Sequence, residues 1–234
     1  MIADEREASA GSRPAIGSVA IQRSATERDA KGTHVGNDMR LVPVDDHEPE
    51  ILEDGTTRIG LGDELGTEHV AINRYRVPPG GHLPAGLHAH ADQEEVFVVH
   101  SGAATFETLD GRVTVDEGEV IRFSPGEFQS GRNEGDDPLV VLALGAPREN
   151  DDIRIPITCS DCGHDDLRLE SVDGAVSFTC PVCTSSRTAT TCPDCSGDDL
   201  HITLEESGDE PSSVIVRCRD CDGSFDRPPV ATDW

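Results

Sequence analysis

The chain has 234 residues, 46 of them acidic and 19 basic, for a formal net charge of -27, and only 3% are aromatic. That length accommodates one medium domain and one or two small ones, and the acid excess excludes the broad basic surface that duplex nucleic acid requires. The longest apolar run, Leu139–Ala146, is far short of the ~20 residues of a membrane helix, and no apolar stretch follows the charged Met1–Glu7, so a soluble cytoplasmic protein is expected.

Residues 1–38 are rich in Ala, Ser, Gly, Arg and Glu without sustained periodicity and are expected to be disordered. The only methionine besides Met1 is Met39, followed at once by Arg40-Leu41-Val42-Pro43. Met39 is a candidate true start, with 1–38 an upstream extension; a genuine flexible tail has equal standing.

Residues 39–146 read as short strands broken by turns. The candidates are Glu68–Val77, His88–His90, Glu94–His100, Ala103–Leu109, Gly111–Val115, Val120–Ser124 and Leu139–Leu144. Asp110-Gly111, between two alternating stretches, is a strong hairpin signal. Closely spaced strands with no long helical pattern predict an all-β barrel or sandwich.

Within this region His88 and His90 are two apart, so on a strand both imidazoles face the same way. Glu94-Glu95 opens the next strand and can bring a carboxylate beside them. Two histidines and a carboxylate with open positions suit Fe(II), and also Mn, Ni or Zn. His100 is five residues from Glu95 and points to the other face, while His82 lies in a Pro/Gly loop. Phe97 and Val99 share the face of Glu95 and are expected to pack the core.

This stretch resembles the first cupin motif: Gly81, a short gap one residue longer than usual, His88-x-His90, then Glu95, six residues and Gly102. The second cupin motif is echoed by Gly118, Ser124-Pro125-Gly126, Gln129 and Asn133. Two positions depart from it: Ser124 replaces proline, and Gln129 replaces the third histidine. The resemblance implies an all-β cupin double-stranded β-helix (jelly-roll) barrel over 39–146 holding a metal with His88, His90 and Glu95. Gln129 is either a fourth ligand through its side-chain oxygen or a hydrogen-bonding group behind the ligands.

Residues 147–157 are polar and Pro-bearing and read as a linker. An internal repeat follows, in which Cys159-Ser160-Asp161-Cys162-Gly163 is echoed by Cys192-Pro193-Asp194-Cys195-Ser196. Each copy ends in a further pair, Cys180 with Cys183 and then Cys218 with Cys221. All eight cysteines therefore sit in C-x-x-C pairs, the pattern of metal ligation in a reducing compartment. Hairpins are predicted between the pairs, Leu167–Ser171 with Ala175–Thr179 around Val172-Asp173-Gly174, and Leu200–Leu204 with Val214–Arg217. Two knuckles joined by a hairpin look like a zinc ribbon, so two small zinc-ribbon modules are expected at 158–187 and 188–225, with a tail at 226–234. Each is too small to fold on apolar burial alone, and zinc, at ~10–16 kcal/mol, would supply the stability. With four thiolates and no open position these zinc sites would be structural. Rubredoxin-like iron, disulfides and cross-braced pairing are the alternatives; the tandem repeat favours sequential quartets.

The acid-rich composition, with Lys31 the single lysine, resembles proteins of halophilic archaea; at molar salt the Debye length falls to about 3 Å and screens the self-repulsion. The cupin resemblance implies a metal-dependent enzyme, of dioxygenase or isomerase type, on a small polar metabolite, or a non-catalytic ligand-sensing module whose ribbons dock on a protein partner. It also implies a homodimer through the barrel. Catalytic residues beyond the ligand set are not specified by the sequence.

Overall fold

The computed structural model describes residues 33–34, 39–172, 175–205, 213–232 and 234. The expected disordered extension, apart from 33–34, and the turn residues Asp173 and Gly174 lie outside them. The short β1 (Thr33–His34) pairs with β2 (Arg40–Leu41). The barrel is then built by β3 (Glu50–Ile51), β4 (Thr57–Gly60), β5 (Ala71–Val77), β6 (Ala89–His90), β7 (Glu94–Ser101), β8 (Ala103–Thr108), β9 (Gly111–Asp116), β10 (Val120–Phe123), β11 (Ser130–Arg132) and β12 (Leu139–Ala146). Among the described residues the α-helical content is the four-residue α1 (Gly62–Leu65), so the all-β expectation holds.

Six strands form one sheet in the order β10-β7-β12-β5-β4-β3, and three form a second, β11-β8-β9. Alternation places Phe97 and Val99 of β7, and Leu139, Val141 and Ala143 of β12, inside. At their centre Phe97, Phe106 and Phe123 pack with ring centroids 5.0, 5.3 and 6.0 Å apart. Gly102 turns β7 into β8 with φ +80°, and a Cβ there would stand 3.1 Å from the Leu139 Cα, so the motif glycine answers both to conformation and to space. Asn133, also of the second motif, is buried. It donates to the carbonyls of Val77 and Asp137, locking two chain segments at one end of the barrel.

The C-terminal region adds β13 (Ile153–Ile155), β14 (Leu167–Val172), β15 (Ala175–Thr179), β16 (Ser186–Thr188), β17 (Leu200–Leu204), β18 (Val214–Cys218) and β19 (Ser224–Phe225). Within the segment read as a linker, β13 hydrogen-bonds on one side to β6 and on the other to β14, giving the sheet β16-β15-β14-β13-β6. The sheet of the first ribbon thereby runs directly into the strand that carries His90. The second ribbon forms its own sheet, β17-β18-β19. The C-terminal segment folds back: Val230 bridges Ala189, and the Trp234 ring stacks on Phe178 at 6.2 Å.

Leu87 of the barrel, Ile155, Leu167 and Phe178 of the first ribbon, and Ile202 and Val216 of the second share one apolar cluster. Two ionic networks, one partly buried and one around a buried carboxylate, reinforce it. Asp152 accepts from Arg154 and, at 2.9 Å twice, from Arg168. Glu107, 3% exposed, accepts from Arg112 and from Thr203 of β17, each at 3.0 Å.

Candidate metal centre

All four C-x-x-C knuckles, two in each ribbon, repeat one local geometry. Gly163, Thr184, Ser196 and Asp222, the residues after each knuckle, all adopt φ between 59° and 76°. Their amides donate to the carbonyls of Cys159, Cys180, Cys192 and Cys218 respectively, at 2.8–3.0 Å. The left-handed residue is what folds C-x-x-C back so that both sulfurs face one point; glycine does this without strain, and the other three residues adopt it nonetheless.

The thiols gather into Cys159, Cys162, Cys180 and Cys183, and into Cys192, Cys195, Cys218 and Cys221, the sequential quartets. The Cys159–Cys183 and Cys162–Cys180 sulfurs lie 3.7 and 3.6 Å apart, as do Cys192–Cys221 and Cys195–Cys218. That is far beyond a disulfide and close to the edge of about 3.8 Å for a tetrahedron of ~2.3 Å zinc–sulfur bonds. Both quartets could hold zinc.

In the barrel, ligand atoms of His88, His90 and Glu95 all lie within 4.8 Å of one another. His88 Nδ1–H donates to the Gly86 carbonyl at 2.8 Å. This fixes the tautomer and leaves Nε2 with its lone pair, 3.2 Å from His90 Nε2. Burial pushes the His88 imidazole down to about 4, so it stays neutral and able to donate that pair. His90 Nε2 is 3.4 Å from a Glu95 carboxylate oxygen. Burial raises the Glu95 carboxyl, opposed by His90 and by the Gln129 amide.

Gln129 sits directly across from His88. The two exchange backbone hydrogen bonds at 3.2 and 2.8 Å. Its side-chain amide donates to the Glu95 carboxylate at 2.9 Å. Pro125-Gly126 serves the same site, the Gly126 amide donating to the His90 carbonyl at 2.8 Å. His100 is exposed, as its position predicts, and His82 lies apart, beside Asp54.

The cluster opens into a cavity of about 940 Å³ whose lining comes from the barrel and from both ribbons. Sequence reasoning missed several of its residues. Gln93 is buried and donates to the Pro147 carbonyl at 2.5 Å. Arg58 and Tyr75 face each other across β4 and β5, and Ile202 enters from the second ribbon. For Ile202 nothing in the sequence signals a role; for Gln93, adjacency to the Glu94-Glu95 strand start was the available cue.

Residues 73–145 match the family model of the cupin domain, and that segment is a cupin barrel. Similar solved structures include a sugar phosphate isomerase from a cupin superfamily of Silicibacter pomeroyi, 22% identical over 62% of this chain and 81% of that one, with a TM-score of 0.40. A predicted oxalate decarboxylase from Thermotoga maritima is 23% identical, covers 46% and 98%, and has a TM-score of 0.42. The polyketide cyclase RemF from Streptomyces resistomycificus is 24% identical, covers 53% and 89%, and has a TM-score of 0.45. These likenesses concern the fold and assign no activity. No curated protein matches the chain.

Proposed function

We propose that this protein is a metal-dependent cupin enzyme acting on a small molecule, with His88, His90 and Glu95 holding the ion. The observation that carries this reading is the convergence of two buried or half-buried imidazoles and one carboxylate on a single cavity. Fe(II), Mn, Ni or Zn all suit that donor set. A bound ion would supply Lewis-acid polarisation of a ligand oxygen. The chain's own residues do the rest. The Gly86 carbonyl holds His88 in the donor tautomer, the Gln129 amide turns one Glu95 oxygen, and the ribbons shield the cavity from water. Isomerase and dioxygenase chemistry both fit such a site. The geometry favours Gln129 as the group that orients Glu95 over a fourth ligand. The cysteine quartets are proposed as structural zinc sites, and the barrel as the homodimer contact that the cupin resemblance implies.

A second reading has one specific observation in its favour. Gln129 stands where the cupin frame carries its third histidine, and a glutamine is the weaker donor, which suits a ligand sensor with a readily exchanged ion. Turnover of small-molecule substrates by protein loaded with Fe(II) or Mn(II) at molar salt separates the two. Metal-dependent product formation, lost in His88→Ala/His90→Ala, supports the enzyme; saturable ligand binding without turnover across the panel supports the sensor.

A further inference from the structure

We infer that the cavity takes an amphipathic ligand, with an oxygen-donor head at His88, His90 and Glu95 and an extended apolar body lying against a wall that the two ribbons supply. The head-group half rests on the metal reading above; the apolar half rests on the cavity alone. Its volume of about 940 Å³ is near the top of the range for ligand pockets, and a two-carbon acid would fill a small part of it. The lining beyond the metal cluster is mostly apolar, with Asn73, Gln93, Asn150 and His201 among its polar members. Phe97 and Ala143 come from the barrel, Leu169 and Phe178 from the first ribbon, and Ile202 and Val216 from the second. In a chain whose residues are 28% charged, the acidic and basic residues on the lining are Arg58, Glu95 and Asp198 alone. A lining so depleted of charge in so acidic a molecule is built to meet hydrocarbon.

The ribbons are part of the site. Strand β13 ties the first ribbon to the His90 strand, and the Ile202 carbonyl accepts from the Leu87 amide, next to His88, at 2.7 Å. The apolar wall is therefore held in register with the metal cluster by backbone hydrogen bonds, so head and body of one ligand meet fixed surfaces.

The test is calorimetric titration, at molar KCl, of straight-chain hydroxamates from two to eight carbons into Ni(II)-loaded full-length protein. The matching n-alkanoates are titrated into His88→Ala/His90→Ala, which keeps the ribbons. Affinity is expected to rise roughly twofold or more per methylene in both series, below the about fourfold of complete burial. Leu169→Asn should weaken octanohydroxamate by about tenfold and leave acetohydroxamate unchanged; where that variant loses zinc, Ala189→Asn on the same wall replaces it. Affinity independent of chain length, or a slope that survives both wall variants, overturns the inference. A slope that persists while the loaded protein binds hydroxamate no better than the histidine variant binds alkanoate overturns the metal reading and leaves the apolar wall standing.

Discussion

Gly86 and Ile202 meet backbone to backbone. A Cβ on Gly86 would stand 2.4 Å from the Ile202 carbonyl oxygen and 2.8 Å from its nitrogen. The same Gly86 carbonyl holds His88 Nδ1, so the second ribbon presses on the residue that sets the donor tautomer of a metal ligand. Gly86→Ala should force β17 away at a cost of about 1–3 kcal/mol, the usual range for overpacking. It should also weaken metal binding in the barrel while both quartets keep their zinc. Thermal unfolding and metal titration check this; unchanged values for both would mean the contact is slack.

Gln129 and Glu95 offer a second test. Gln129→Leu removes the donor to a carboxylate that is largely buried, which should cost about 1–3 kcal/mol and raise the Glu95 carboxyl further. Gln129→His restores the cupin frame and should tighten the barrel ion several-fold. Thermal unfolding reads the first change, and competition with a chelator of known affinity reads the second. Equal affinities for wild type and Gln129→His would place residue 129 outside the ligand sphere.

How much of this was legible beforehand follows from how local each feature is. His88, His90, Glu95 and the cysteine pairs declare themselves through short spacings that one strand or one knuckle satisfies, and the hairpin at Asp110-Gly111 needs only its own turn. Strand β13 could not be read in the same way. Ile153-Arg154-Ile155 is three residues between Asp152 and Pro156, and it becomes a strand only because β6, at Ala89–His90, and β14, from Leu167, supply partners remote in sequence. Gly86 looks like any loop glycine until Ile202, remote in sequence, is laid against it. Nor does the sequence show that apolar residues of both ribbons, Leu167, Phe178, Ile202 and Val216 among them, share one cluster with Leu87 of the barrel.

Thr184 carries a β-branched side chain at φ 62°, where the equivalent position of the first knuckle has Gly163. Thr184→Gly should relieve about 1 kcal/mol of backbone strain and slow zinc loss from the Cys159–Cys183 quartet to a chelator. The reverse change in the first knuckle, Gly163→Thr, should speed it. Equal chelation rates in all three proteins would show that the knuckles tolerate either residue.

Asp152 predicts an acid limit. Hydrogen bonds from Arg154, joined by those from Arg168, hold its carboxyl down to about 2 against an ordinary 3.8, despite partial burial. Its contribution to stability is therefore complete above about pH 4 and is lost as the pH falls from there through 2. Asp152→Asn should erase that part of the pH dependence and loosen β13 from β14, raising amide exchange at Arg154 and Arg168 at neutral pH. Wild-type exchange rates in the variant would detach Asp152 from the junction.

The central claim is that the barrel holds an ion on His88, His90 and Glu95. Elemental analysis of the full chain purified at molar salt, beside His88→Ala/His90→Ala, tests it most directly. The account predicts two zinc per chain in both proteins and one further metal in the wild type that the double substitution abolishes. Two zinc and no other metal, identical in both, would contradict it and mark Gln129 as the sign of a site that no longer binds.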